Sequence, residues 1–392
     1  MIFIFFNYYD KITNEGDYMV YLDYSATTPV DKDVLEVFNK VCLEYPGNSN
    51  SLHSLGVKSK ELENYATKKI AKMLKVKESE IIYTSGASES NNMAIKGVCN
   101  RYKNRGKHII TTFLEHSSII GPLNYLTSQG FEVDFVKIKD DGQVDIDNLK
   151  SLLRDDTILV SICAVDSEIG LKQPINEIGE ILKDYPKCIF HVDCTQGIGK
   201  IDIDFSNIDL ASISAHKFYG LKGIGMLIKK EKIVIDPLIH GGKSTTSFRS
   251  GTPALPLIVS LMKALEKILP NIKENYKYVE VLSKKIKDKL STYPLVHINS
   301  TENSIPHTIN FSLMKIKPET FIHALEEYDI YISTKSACSS ADSMSNSVYA
   351  LTKDRDLSYQ TLRVSLSYLT TMEEVDKFLE VFDKCYRKLE LK

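Results

Sequence analysis

Leu210-Ala211-Ser212-Ile213-Ser214-Ala215-His216-Lys217-Phe218-Tyr219-Gly220 joins a short apolar run to a compact turn that carries a lysine. The run has the length and make-up of a strand, and Gly220 marks a change of direction. The same form recurs upstream. Cys188-Ile189-Phe190-His191-Val192 is extended and runs into Asp193, with Thr195-Gln196 after it. Thr157-Ile158-Leu159-Val160-Ser161-Ile162 is an apolar, β-branched run of the kind buried on both faces. Helix-period apolar positions cover Leu55 to Leu74, Ser88 to Tyr102, His116 to Ser128 and Ile175 to Tyr185. Extended segments fall between them at Glu80 to Thr84, His108 to Thr112 and Glu132 to Val136. This alternation predicts an α/β fold with a mostly parallel sheet covered by helices.

After Gly251-Thr252-Pro253 the pattern changes. A long helical stretch from Leu257 to Leu290 contains Pro270, so it is expected to kink or break there. A hairpin-like pair follows, Val296 to Asn299 and Ile309 to Ser312. Then come a helix near Thr320 to Tyr328, an alternating strand at Arg363 to Ser367 and a closing amphipathic helix from Glu373 to Leu389. These predict a smaller α+β C-terminal domain.

At 392 residues the chain is too long for one simple core. Its net charge of −2, with no long block of like charge, gives no electrostatic case for nucleic acid or a membrane as partner. Seven cysteines at irregular spacing, with no C-x-x-C pair, argue against a disulfide framework and against a zinc or other metal site, and fit a reducing cytoplasm. The apolar start, Met1 to Phe6, is too short to span a bilayer and lacks the flanks of a signal peptide. Residues 1–18 read as a disordered extension or a misassigned start, with ordered pattern opening at Met19.

Parallel α/β sheets bind ligands at the carboxyl ends of their strands. Ser85-Gly86-Ala87-Ser88 follows one predicted strand and opens a helix whose first N–H groups suit a phosphate. Glu115-His116, Asp193 and Lys217 follow others. Singly, each has an ordinary explanation: a connecting turn, a structural histidine, a capping aspartate, a solvated lysine. Those explanations fit poorly together, because phosphate donors, an imidazole, a carboxylate and a lysine all fall at strand ends of one sheet. Pyridoxal 5'-phosphate (PLP) needs that set: a lysine for the Schiff base, a carboxylate for the pyridinium nitrogen, and hydroxyl and N–H donors for the phosphate.

From Met19 onward the chain resembles the cysteine desulfurases, in the class V aminotransferase branch of fold-type I PLP-dependent transferases. The resemblance rests on Tyr21-Leu22-Asp23-Tyr24-Ser25-Ala26-Thr27-Thr28-Pro29, Thr84 to Asn92, Glu115-His116, Phe190 to Gln196, Ser214 to Lys217, Arg249-Ser250-Gly251-Thr252 and Ser336-Ala337-Cys338-Ser339-Ser340. It implies Lys217 as the Schiff-base lysine, Asp193 as the pyridinium partner and His116 as the ring-stacking, proton-moving histidine. Gln196 would contact the phenolic oxygen. Ser88, Ser214 and His216, with the backbone of Ala87, would hold the phosphate. Thr252 would reach the phosphate from a neighbouring subunit, which implies a homodimer. Arg363 and Asn48 would surround the substrate carboxylate. The implied organisation is an N-terminal segment, 19–30, joining the small domain, a large PLP-binding domain over 31–263 and a small domain with a cysteine loop over 264–392.

Cys338 lies in a polar, Ser-rich stretch typical of an exposed loop, where a thiol can act as a nucleophile. Lys335, three residues earlier, reads either as a solvated lysine or as a charge that favours the thiolate. Cys42, Cys99, Cys163, Cys188 and Cys385 read instead as small buried hydrophobes. The implied activity converts L-cysteine to L-alanine and leaves a persulfide on Cys338 for an acceptor such as an iron–sulfur scaffold or a tRNA-thiolation protein. The alternatives are a selenocysteine lyase, another class V aminotransferase-like enzyme, or a catalytically retired PLP-fold partner protein.

The sequence departs from the family where Asp166 replaces the usual Asn, Ser49-Asn50 the usual Pro-Ser, Lys335 the usual Gly, and Tyr24-Ser25 the usual Asn-Ala. Asp166 is expected at the cofactor, either ionised and turned away or protonated and donating. The first is favoured on the expectation of a solvent-connected site beside Ser167.

Overall fold

The computed structural model describes residues 19–242, 245–334 and 344–390. Two compact units emerge. One comprises Thr27–Ser167 and Leu171–Glu274. The other comprises the chain up to Ala26, Glu168–Gly170 and the chain from Asn275 onward. In chain order the strands are β1 (Val20–Tyr21), β2 (Ile81–Thr84), β3 (His108–Thr111), β4 (Glu132–Phe135), β5 (Thr157–Cys163) and β6 (Ile189–Asp193). β7 (Leu210–Ser214), β8 (Gly225–Lys229), β9 (Val296–Ile298), β10 (Thr308–Leu313), β11 (Ile330–Tyr331) and β12 (Thr361–Ser365) complete the set.

In the larger unit seven strands form one sheet in the order β2-β8-β7-β6-β5-β3-β4. It is parallel apart from β8, which runs antiparallel to both β2 and β7. Every residue of β5 is buried, as the unbroken Thr-Ile-Leu-Val-Ser-Ile-Cys run requires of a strand covered on both faces. The helix Ala87–Tyr102 lays Met93, Ala94, Ile95 and Val98 into a core shared with Ile109, Leu159 and Leu227. β8 and the helix Lys32–Glu44 are absent from the expectations above. The latter is capped at Asp31, whose Oδ1 accepts from Asp33 N–H and Val34 N–H.

The smaller unit holds the antiparallel sheet β12-β10-β9 and the parallel pair β1-β11. Phe311, Phe321, Phe378 and Phe382 pack in its core with Val279, Leu282 and Ile286. The long helical stretch does break near Pro270: helices Leu255–Ile268 and Ile272–Leu290 are separated by a 3-10 turn. Among the described residues no helix is long and apolar enough to cross a membrane.

Cys42 departs from its expected burial. It is exposed, because in Lys32–Glu44 the inward face is set by Val34 and Val41, and the residue after Val41 turns to solvent. Cys99, Cys163, Cys188 and Cys385 are buried, and burial pushes their thiols up from the ordinary value.

Candidate active site

The lysine turn follows β7 directly. Ala215 N–H bonds to Ile224 O, and Phe218 N–H and Gly220 N–H both reach Ala215 O, which closes the turn around half-buried Lys217. Tyr219 takes a positive φ of 66°, uncommon for a bulky side chain, and a neighbouring strand of chain holds it there. Thr28 does this holding. Its N–H and Oγ1 both donate to His216 O, its Oγ1 accepts from Tyr219 N–H at 2.7 Å, and Asp31 N–H bonds to Tyr219 O. Thr27 Oγ1 lies 3.2 Å from His216 Nδ1. His216 is depressed to about 4, mainly by burial, with Lys217, Lys222 and Lys200 adding repulsion. It is therefore neutral at physiological pH and can serve as an N–H donor without carrying charge.

Asp193 ends β6, beside β7, and pairs across the sheet with Ser212. Its carboxylate is buried and held from two sides: Asn91 Nδ2 donates to Oδ2 at 2.8 Å and Thr195 N–H to Oδ1 at 2.9 Å. Asn91 Nδ2 also donates to Ser118 Oγ at 2.8 Å, and that oxygen lies 2.8 Å from His116 Nδ1. One proton arrangement satisfies the whole chain. Asn91 donates to Ser118, the Ser118 hydroxyl donates to His116 Nδ1, and the ring N–H sits on Nε2. Ser118 N–H donates to the same Nδ1, which makes His116 the cap of helix Ser117–Ser128. Beneath Asp193, His191 bridges Ser161 and Ser212 across three strands and is depressed to about 4 by burial, so this sheet-spanning link is neutral.

The turn after β2 has Gly86 at φ +149°, a conformation glycine adopts freely. It caps helix Ala87–Tyr102 without a side-chain hydrogen bond. A Cβ at Gly86 would stand 3.4 Å from Ser214 Oγ, so the β2 and β7 turns abut. That juxtaposition needs Gly225 between them, where a Cβ would come within 2.7 Å of Gly86 Cα. Glu89 ties a further stretch to this turn, accepting from Ser85 N–H at 2.7 Å and from Arg249 Nε at 2.9 Å. Ala87, Ser88, His116, Asp166, Asp193, Gln196, Ser214, His216 and Lys217 thus all follow carboxyl ends of strands pointing one way in one sheet.

Asp166 is 1% exposed, which corrects the expectation of a solvent-connected carboxyl. The Val165–Lys172 bridge and the bond from Asp166 N–H to Leu171 O fold the chain after β5 back on itself. Asn48 and Thr252 are exposed in loops of the same unit, and Asn48 Oδ1 accepts from Asn50 N–H. Arg363 lies in the smaller unit, on β12, fully buried, with NH2 donating to Asp23 Oδ1 at 2.8 Å. Cys338 and Lys335 lie outside the described residues.

Sequence reasoning gave no role to Asn91, Ser118, Thr28 or Glu115. Glu115 Oε1 accepts from Thr112 Oγ1 at 2.8 Å and Cys163 N–H at 2.9 Å, while Oε2 is buried with no partner among the described residues. Burial, with the Asp193 charge adding to it, lifts this carboxyl to about 8. A raised carboxyl favours the fold while protonated, so its stabilisation is full below the ordinary carboxyl range and is lost as pH rises towards about 8. Glu115→Gln, neutral at every pH, is expected to flatten that decline, measured as the melting temperature from just above the ordinary carboxyl range to just above about 8.

Comparison with known proteins gives one consistent relation. The sequence model of the family described as "Aminotransferase class-V" matches residues 20–378. The chain is 39% identical over 375 residues to "Cysteine desulfurase IscS" of Dictyoglomus turgidum, covering 94% of this chain and 95% of that one. Its fold is similar to a solved "NIFS-LIKE PROTEIN", with a TM-score of 0.90 and 36% identity over 95% of this chain and all of the other. It is also similar to "SspA in complex with cysteine", with a TM-score of 0.78 and 31% identity over 90% of this chain and 99% of that one.

Proposed function

The chain belongs to the aminotransferase class-V family and is a PLP-dependent cysteine desulfurase, and from that premise we propose how its own residues divide the work. The observation that carries this division is the buried Asp193 carboxylate, fixed by Asn91 and Thr195 N–H at one strand end, with the Lys217 turn at the next.

The donor set fits PLP. Lys217 would hold the cofactor through Nζ, Asp193 would keep its ring nitrogen protonated, and Gln196 would face its phenolic oxygen. The first-turn N–H groups of Ala87 and Ser88, with Ser214 Oγ and the neutral His216, would take the phosphate, and Thr252 of a second copy would complete that shell. When bound, PLP would supply an electron sink for the electron pair left on Cα as its proton leaves, and then for the pair left on Cβ as sulfur leaves.

The remaining work falls to the chain. Lys217 Nζ, once free of the cofactor, would carry the Cα proton, and His116 would offer its Nε2 hydrogen to the same region. Arg363, gripped by Asp23, would receive the substrate carboxylate, a role in which Asn48 would share. The Cys338 thiolate attacks the substrate sulfur: the carbon–sulfur bond breaks, a sulfur–sulfur bond forms, the electron pair left on Cβ takes up one proton, and Cα regains the one it lost, giving alanine. The persulfide then passes to an acceptor protein of the iron–sulfur or tRNA-thiolation kind. A cytoplasmic homodimer is the form in which this scheme operates. Incubation with L-cysteine, followed by mass spectrometry, should show one added sulfur on the Cys338 peptide together with stoichiometric alanine. Alanine without that adduct would refute the role of Cys338.

Asp166 sets a further expectation. An ionised carboxylate beside the phenolic oxygen repels its negative charge, whereas an asparagine donates to it. Asp166→Asn should therefore lower the pH midpoint of the cofactor's visible absorbance change. An unchanged or raised midpoint would mean that residue 166 does not reach the cofactor.

A further inference from the structure

Gln196 and Lys200 lie one helical turn apart in the tight turns after β6, and both are buried, at 7% and 8% exposure. Backbone bonds brace this segment: Gly197 N–H and Ile198 N–H reach Cys194 O, and Lys200 N–H reaches Gly197 O. Neither side chain therefore rides on a loose loop. Lys200 Nζ donates to Gln196 Oε1 at 2.7 Å. An ammonium has donors only, so this contact decides which end of the amide faces it. The oxygen turns to Lys200, and the Nε2 group points elsewhere. Burying an ammonium is unfavourable unless it is paired, so a lysine retained here calls for a reason.

We propose that Lys200 is a positioning residue of the cofactor site: it holds Gln196 so that the amide presents a donor to the cofactor's phenolic oxygen, and its charge favours the anionic form of that oxygen. The proposal rests on the assignment of Gln196 to that oxygen. The charge acts within the site, since Lys200 joins Lys217 and Lys222 in repelling a proton from His216. The acidic side chains at this sheet edge are Asp193, at the start of the same turn, and Asp166, after the neighbouring strand β5. Without Lys200 the charged contact that sets the amide oxygen on this side is lost.

The test is the pH titration of the holoenzyme's visible absorbance, with melting temperature measured in parallel. Lys200→Met should raise the midpoint by roughly one pH unit, the scale of a lost nearby opposite charge. Lys200→Arg, which also donates to the amide oxygen, should restore most of the shift. Gln196→Ala should raise the midpoint too, and adding Lys200→Met to it should move the midpoint less than the two single shifts combined. If Lys200→Met does not fold, Lys200→Gln serves in its place: it keeps a donor but drops the charge, and a smaller shift in the same direction is expected. A wild-type midpoint in the folded variant, with only the melting temperature lowered, would make Lys200 a brace of the turn and overturn the proposal. Failure of the cofactor assignment looks different. In that case Lys217→Ala would keep the pH-dependent absorbance, whatever Lys200 does.

Discussion

Lys217→Ala is expected to lose the visible absorbance of the lysine-linked cofactor and to abolish turnover. Lys217 is the proposed point of attachment for the cofactor, and Thr28 fixes its turn through His216 O and Tyr219 N–H. Removing the amine removes the covalent link and the group that moves the Cα proton. Proton transfer alone accounts for about 10²- to 10⁴-fold in rate, and losing the link adds to that. The phosphate donors do not depend on the lysine, so residual cofactor should still bind non-covalently, seen as PLP retained after gel filtration but released by denaturation. Lys200, another amine of the same unit, is engaged by Gln196. Alanine production above a trace in Lys217→Ala would sink the central assignment.

Cys338→Ser should accept L-cysteine, as judged by a spectral change on mixing, yet release almost no alanine. A hydroxyl at neutral pH is a poor nucleophile towards sulfur, whereas even a modest thiolate fraction suffices. The loss should appear in kcat, with substrate affinity nearly unchanged, because carboxylate recognition is assigned to Arg363 and Asn48. Near-normal alanine release would move the reading towards a lyase that needs no cysteine nucleophile. Running the variant with selenocysteine separates the two chemistries: selenide release without Cys338 would mark a selenocysteine lyase.

Much of the fold was legible in the chain because local patterns report local burial. The uninterrupted apolar run of β5 marked a strand covered on both faces, and Pro270 marked a helix break. β8 was not legible. Met226, Leu227 and Ile228 are apolar enough, but nothing local tells a strand that it must run antiparallel between β2 and β7. That insertion brings the β2 turn against Ser214.

The site divides along the same line. The sequence by itself determined the chemical inventory, Lys217, Asp193, His116 and Gln196 at successive strand ends, since parallel strands deliver such residues to one edge whatever their order in the sheet. Only the tertiary structure decided how each group is held. Asn91 reaches Asp193 across 102 residues of chain, Thr28 clamps a turn 188 residues away, and Lys200 takes the amide oxygen of Gln196. It also buried Asp166, for which the sequence suggested solvent, and exposed Cys42, for which it suggested burial. Side-chain type and spacing state what a residue can do. Which donor meets which acceptor depends on strand register and on how the turns fold back, and those are set by packing summed over the whole core.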